Sequence, residues 1–244
     1  MSKKEKTGGK SHKGLLFFLL VLVIISGVLI SLYLVRSEEI SVEGNRYVPE
    51  DVIISRVYRD DDHKTLLHVL VNAFFRRITI PGFDSVKVVP VELKASRIDV
   101  KESEAFSCCV ARDKWAVLTE KGIILSVADK PDESLIRLKG IRLLTEELLT
   151  KAESDDKEML EALLQYVSYI KQYDLPFSEL LLENDRITGI MGPVRIILGQ
   201  GDFAKEKIAE IKAQEGALRG LKGTLHMEDY ANGEAANRYY FEVD

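Results

Sequence analysis

Cysteine is scarce in this chain. Two occur in 244 residues, Cys108 and Cys109, and they are neighbours. Adjacent residues on a strand point to opposite faces, so bonding them would need a strained local geometry. A small secreted scaffold stapled by disulfides is thereby excluded. The expected arrangement has one cysteine packed inward and one outward. Histidine is equally sparse: His12, His63, His68 and His226. They form no His-x-x-x-His pair, and no Cys-x-x-Cys, Gly-x-Ser-x-Gly or Ser-x-x-Lys pattern stands out. Gly199-Gln200-Gly201 precedes a helical pattern but lacks the further glycine and the lysine–serine pair of a phosphate loop. No fixed-period repeat occurs, and the only low-complexity stretch is the lysine-rich start.

Positive charge is short over most of the chain. Residues 1–14 hold five of the 34 Lys and Arg and one of the 39 Asp and Glu, which leaves 29 against 38 beyond them, a formal charge of −9. An acidic body excludes bulk electrostatic binding of nucleic acid or of an anionic polymer. A partner has to be held by shape, backbone pairing or specific contacts.

What is present is one long apolar run, Leu15 to Val35, with no charge and no proline. A bilayer core of ~30 Å takes about 20 helical residues, and a helix satisfies its own backbone groups in lipid. Lys3, Lys4, Lys6, Lys10 and Lys13 precede the run; Arg36, Glu38 and Glu39 follow it. The excess of lysine places the N-terminal tail in the cytoplasm and everything after Val35 outside. The run is longer than the core of a signal peptide, and Leu34-Val35-Arg36-Ser37 offers no small-x-small cleavage site. An uncleaved single-pass anchor in the plasma membrane is the expectation.

Beyond the anchor, alternation and punctuation set the elements. Ile40 to Asn45 reads as a strand ending in a Gly-Asn turn, and Pro49-Glu50-Asp51 opens a helix through about Tyr58. Arg59 to His63 reads as a solvated loop capping a helix from about Lys64 to Ile78, with Leu66, Leu67, Leu70, Phe74 and Ile78 as its buried stripe. Asp84 to Val89 and Arg97 to Glu102 pair as a hairpin joined by a connection over residues 90–95. Strands follow at 105–110, 115–118, 123–125 and 135–140. Ser154-Asp155-Asp156 caps a long amphipathic helix to about Tyr173. Three more strands, at 178–183, 187–190 and 194–198, lead to a helix capped by Asp202 with Phe203, Ile208 and Ile211 inward. The last strands are 224–228 and 238–243.

The basic tail, single anchor, Ile40-x-Val42-x-Gly44-Asn45, two helices, then Val86-x-Val88 and Ile98-x-Val100-x-Glu102 resemble the FtsQ/DivIB cell-division family. Leu135 to Gly140 and Arg195 to Gly199 resemble later strands of that family. Ser103 and Ala105 stand where an arginine and a proline are usual. The resemblance implies an α+β protein: a cytoplasmic tail at 1–14, a transmembrane helix at 15–35, a POTRA-like β-α-α-β-β domain at 36–105 and a β-rich α+β domain at 106–244. It implies a non-enzymatic scaffold of the division septum with no cofactor and no metal. Its partners would be small bitopic division proteins of the FtsB/DivIC and FtsL kinds, held by strand addition along the C-terminal edge: Arg238, Tyr239, Tyr240, Phe241, Glu242 and Val243. Two other readings stay open. One is an anchored envelope hydrolase using a carboxylate pair, since carboxylates are abundant. The other is a polypeptide-transport module, since POTRA domains also serve there.

Overall fold

The computed structural model describes residues 11–59, 63–230 and 239–243. It is a mixed α+β protein that divides into two compact units: Met1–Gly44, Ile53–Thr79 and Ser85–Val100, and then Asn45–Val52, Ile80–Asp84 and Lys101–Asp244.

In the first unit, helix α1 (Ser11–Leu34) carries the apolar run. Its segment Gly14–Leu34, 21 residues, is long and apolar enough to cross a membrane, and none of it is buried within the protein. Strand β1 (Glu39–Glu43) follows, then helices α2 (Glu50–Tyr58) and α3 (Leu66–Phe74), and strands β2 (Phe83–Glu92) and β3 (Ala95–Glu102). The sheet order is β1-β3-β2, with β1 parallel to β3. Val42, Ile53, Leu66, Val69, Val86, Val88 and Ile98 form its buried apolar set. A buried hydroxyl chain lies among them: the Ser96 Oγ is 3.0 Å from the Ser37 Oγ and 3.2 Å from the Tyr58 hydroxyl. Burial pushes the Tyr58 hydroxyl above its ordinary pKa.

Three sequence expectations change here. The helix expected over 64–78 is shorter, because its side-chain cap comes from Thr65, whose Oγ1 accepts the His68 amide, and it ends at Phe74. Phe74, expected in the buried stripe, is exposed. The expected 90–95 connection shrinks to Leu93–Lys94, because β2 continues through Pro90. β2 is an edge strand of its sheet, a position in which proline is tolerated. Asp60, Asp61 and Asp62 lie outside the described residues.

The second unit is built on one nine-stranded sheet, in the order β12-β11-β10-β9-β8-β7-β4-β5-β6. Its strands are β4 (Ala105–Ala111), β5 (Lys114–Thr119), β6 (Ile124–Ala128), β7 (Ile136–Leu143), β8 (Glu179–Glu183), β9 (Arg186–Met191), β10 (Val194–Gly199), β11 (Gly223–His226) and β12 (Tyr240–Val243). Helices α4 (Lys157–Gln172) and α5 (Ala204–Leu218) pack together and against β4, β7 and β10. Asp156 caps α4 as expected, its carboxylate accepting the Met159 amide at 3.0 Å. Leu163, Tyr166, Val167 and Ile170 of α4 meet Leu138, Leu180 and Ile196 of the sheet in a continuous apolar core. Asp202 does not cap α5. The cap position is Phe203, at φ 55° and without a side-chain bond, and its ring is part-exposed, edge-on to Tyr230.

The cysteines do point to opposite faces of β4, yet both are fully buried. Cys109 joins the core, and Cys108 lies with its sulfur 4.0 Å from the Asp132 carbonyl. Burial pushes the Cys108 thiol up to about 11 and the Cys109 thiol up to about 12. Neutral thiols without solvent access do not attack disulfide reagents. The native protein at neutral pH is therefore expected to give no reaction with an aromatic disulfide, and both thiols should appear on denaturation. Rapid reaction in the native state would contradict this packing.

Candidate functional site: the free sheet edge

The nine-stranded sheet has two edge strands, β6 and β12, and they are treated differently. The start of β6 is flanked on its outer side by the protein's own backbone. The Ile124 amide donates to the Thr150 carbonyl at 3.0 Å, the Leu149 amide donates to the Ile124 carbonyl at 2.7 Å, and Ile123 bridges Lys151. β12 pairs only with β11, in antiparallel register from Gly223 opposite Val243 to His226 opposite Tyr240. Among the described residues nothing pairs with its other side. Every second residue of such a strand turns its N–H and C=O outward, which is a template for another extended chain.

The two faces of β12 are anchored differently. Tyr239, just before the strand, donates its hydroxyl to Glu210 of α5 at 2.7 Å and accepts from Gln214 at 3.1 Å. That bond, together with burial, pushes the Tyr239 hydroxyl above its ordinary pKa. Phe241 packs against the core on the same helix side. On the opposite face the Tyr240 ring stacks on His226, with centroids 4.3 Å apart and planes within 8°. The His226 Nδ1 lies 2.9 Å from a Glu228 oxygen. Its Nε2 approaches Glu242 at 3.4 Å, an ion-pair distance without hydrogen-bond geometry. Burial opposes ionisation of Glu228, but the His226 bond, a backbone bond and the charges of His226 and Arg186 together outweigh it and hold that carboxyl below the usual range. The close β11–β12 approach depends on Gly223. A Cβ there would strike the Glu242 carbonyl oxygen, and its φ of 153° is one that side chains rarely adopt.

The edge residues expected from sequence therefore divide. Tyr239 and Phe241 hold the strand to the helix layer. Tyr240 and Glu242 face the other way beside His226, and Val243 is exposed at the end. Arg238 lies outside the described residues. His226, Glu228, Gly223 and Glu210 were not anticipated at the site. The signal for two of them was in the chain: His226 and Glu228 are two apart in a predicted strand, and so share a face.

Elsewhere the possibilities are thin. A groove of about 300 Å³ is lined by Leu144, Leu160 and Leu164 together with Glu153, Lys157 and the Lys151–Glu161 ion pair, among others. Among the described residues no three His, Cys, Asp or Glu side chains assemble as metal ligands. Lys207 is buried and donates to the Leu198 carbonyl at 2.6 Å; burial lowers its pKa against the opposing charges of Asp202 and Glu228. No protein-family model matches the chain, and no curated protein matches its sequence.

Proposed function

We propose that this protein is a membrane-anchored, non-enzymatic scaffold of the bacterial division septum, whose last strand captures a partner polypeptide by strand addition. One observation carries the binding reading. Among the described residues, the chain lays its own backbone beside the start of β6, at Ile124, and pairs nothing with the outer side of β12. Backbone bonds along that edge supply affinity. The Tyr240, Glu242 and His226 side chains on one face, and Val243 at the end, supply the choice of partner. An acidic ectodomain suits this mode, because backbone pairing needs no bulk attraction of opposite charge.

The division assignment rests on the sequence resemblance. It is supported by the order β1-α2-α3-β2-β3, the succession expected of the first outer domain, with the three strands in one sheet. The apolar helix α1 fits the anchor, and the lysine-rich start fits a cytoplasmic tail.

The test uses the full chain with a cytoplasmic N-terminal tag, imaged in dividing cells and co-purified. The tag is expected at mid-cell, bringing down small bitopic division proteins. A chain ended before Arg238 is expected to keep its anchor and cooperative melt and lose those partners. Phe241→Lys, which removes the strand from its helix-side packing, is expected to do the same. Lys114→Ala, at an exposed side chain of β5 away from this edge, is expected to retain them. Undiminished co-purification by the folded truncation would overturn strand addition; a uniformly distributed tag would overturn the septal assignment.

A further inference from the structure

Helix α3 is apolar on two sides. One side, with Leu66 and Val69, is buried in the first unit. The other carries Val71, Phe74 and Phe75 at i, i+3 and i+4, exposed by 40%, 71% and 86%. A nine-residue helix ending in two bare phenylalanines has no reason to face water. Arg76 and Arg77 follow at once, both exposed.

The backbone fixes where this stripe lies relative to the end of α1. The Leu66 amide donates to the Val35 carbonyl at 2.8 Å, and the Ser37 amide donates to the Lys64 carbonyl at 2.7 Å. The α3 N-terminus is thus tied to the residues that follow the apolar helix, and α3 packs against α1. Along its own axis α3 is only about 13 Å long. A second apolar point reaches the same level. β3 runs parallel to β1 with Ala95 opposite Glu39, so the β2–β3 turn sits where the chain leaves α1. The Glu38 amide donates to the Lys94 carbonyl at 2.8 Å. The turn bears Leu93, 73% exposed, and the end of β2 leading into it bears Val91, 57% exposed.

We propose that these two points, the α3 stripe and the β2–β3 turn, dip into the interfacial layer of the leaflet from which α1 emerges, and seat the first unit on the bilayer surface. The inference rests on α1 spanning a membrane. The occupant is lipid rather than protein because the apolar points flank the end of an apolar helix and continue its exposed surface. The order Phe-Phe-Arg-Arg places aromatic rings at acyl depth and guanidinium groups at the level of lipid phosphates. The seat makes α1 a restrained stalk rather than a free tether. The first unit then holds a fixed height and tilt above the membrane.

The test places single cysteines at Ile24→Cys, Glu43→Cys, Phe75→Cys and Leu93→Cys in the full chain, labelled with an environment-sensitive NBD dye. The chain is reconstituted in nanodiscs of phosphatidylcholine and phosphatidylglycerol. The parent chain, whose own cysteines are buried, gives the background. Labels at 75 and 93 are expected to emit blue-shifted relative to 43, to lose most of their emission to shallow spin-labelled lipid, and to resist aqueous iodide. Label 24 should respond to deep spin-labelled lipid only, and label 43, at the far end of β1, to iodide only. Iodide quenching at 75 and 93 with lipid quenching at 24 would overturn the seat while leaving the anchor intact. Iodide quenching at 24 would overturn the anchor and the seat with it. Protection of 75 and 93 from both quenchers would show that protein covers them, and would overturn the bilayer as occupant.

Discussion

Gly140→Ala is expected to remove about 3–5 kcal/mol from the second unit, a large share of the ~5–15 kcal/mol that holds a typical domain together. Gly140 sits inside β7 at φ 80°, and a Cβ there would collide with the backbone carbonyl of Leu182. It marks a bulge. Opposite β4 the register runs Cys109 to Leu138 and then jumps to Val110 opposite Arg142. Gly140 follows the residues of β7 that pair in parallel with β4 on one side and β8 on the other, and its bare Cα leaves room for the Leu182 carbonyl of β8. Urea unfolding followed by the single tryptophan, Trp115 of β5, reads the loss directly. Gly192→Ala is the control. It has the same hand of backbone, φ 58°, but open space around the missing Cβ, so its cost should stay near 1 kcal/mol. Equal costs at the two positions would show that conformation alone matters and that the Leu182 collision does not.

Glu102→Ala carries the second large effect, a loss of about 2–3 kcal/mol. One oxygen of Glu102 accepts three consecutive amides: Arg46 at 2.9 Å, Tyr47 at 3.1 Å and Val48 at 2.8 Å. Its other oxygen accepts the Tyr47 amide at 3.0 Å. Three converging N–H groups make a small positive nest that suits a carboxylate. Val48 is buried, so its amide has no ready replacement in water. The Tyr47 hydroxyl donates to Asp132 at 3.0 Å, which fastens the same segment a second time. These contacts explain why residues 45–52 belong to the second unit although they lie between two stretches of the first in sequence. Hydrogen exchange at the amides of 46–48 should accelerate strongly in Glu102→Ala and modestly in Glu102→Gln, which keeps a carbonyl acceptor. Unchanged exchange in the alanine variant would mean the nest does not hold the segment.

Periodicity in the sequence located nearly every element and failed where one pattern has two structural outcomes. The strands of the second unit were legible because half-buried strands alternate, and α4 because its apolar stripe and Asp156 cap agree. Helix α3 was located, but its faces were misassigned. A stripe containing Phe74 announces an apolar neighbour without saying whether that neighbour is protein. Pro90 read as a strand breaker, and it is one only where both sides of a strand are paired. Asp202 had the composition of a cap; Phe203 takes that position instead, and Asp202 lends its charge to the buried ammonium of Lys207.

The edge shows the same division. Tyr239 to Val243 were recognisable as a last strand by alternation and aromatic content. That residues 149–152 meet Gly122 to Ile124 at the start of β6, while among the described residues nothing pairs with the outer side of β12, is a matter of which distant segments meet.

What the sequence determined alone were the properties summed over neighbouring residues: an apolar helix of membrane-spanning length, an acidic body, and an α+β succession of elements. These follow from local composition and period, which every short stretch carries with it. The tertiary structure decided the sheet order, the bulge at Gly140, the carboxylate nest at Glu102 and the side of each strand left without a partner. Each depends on contacts between residues tens of positions apart, and the cost or gain of such a contact is written in neither segment by itself.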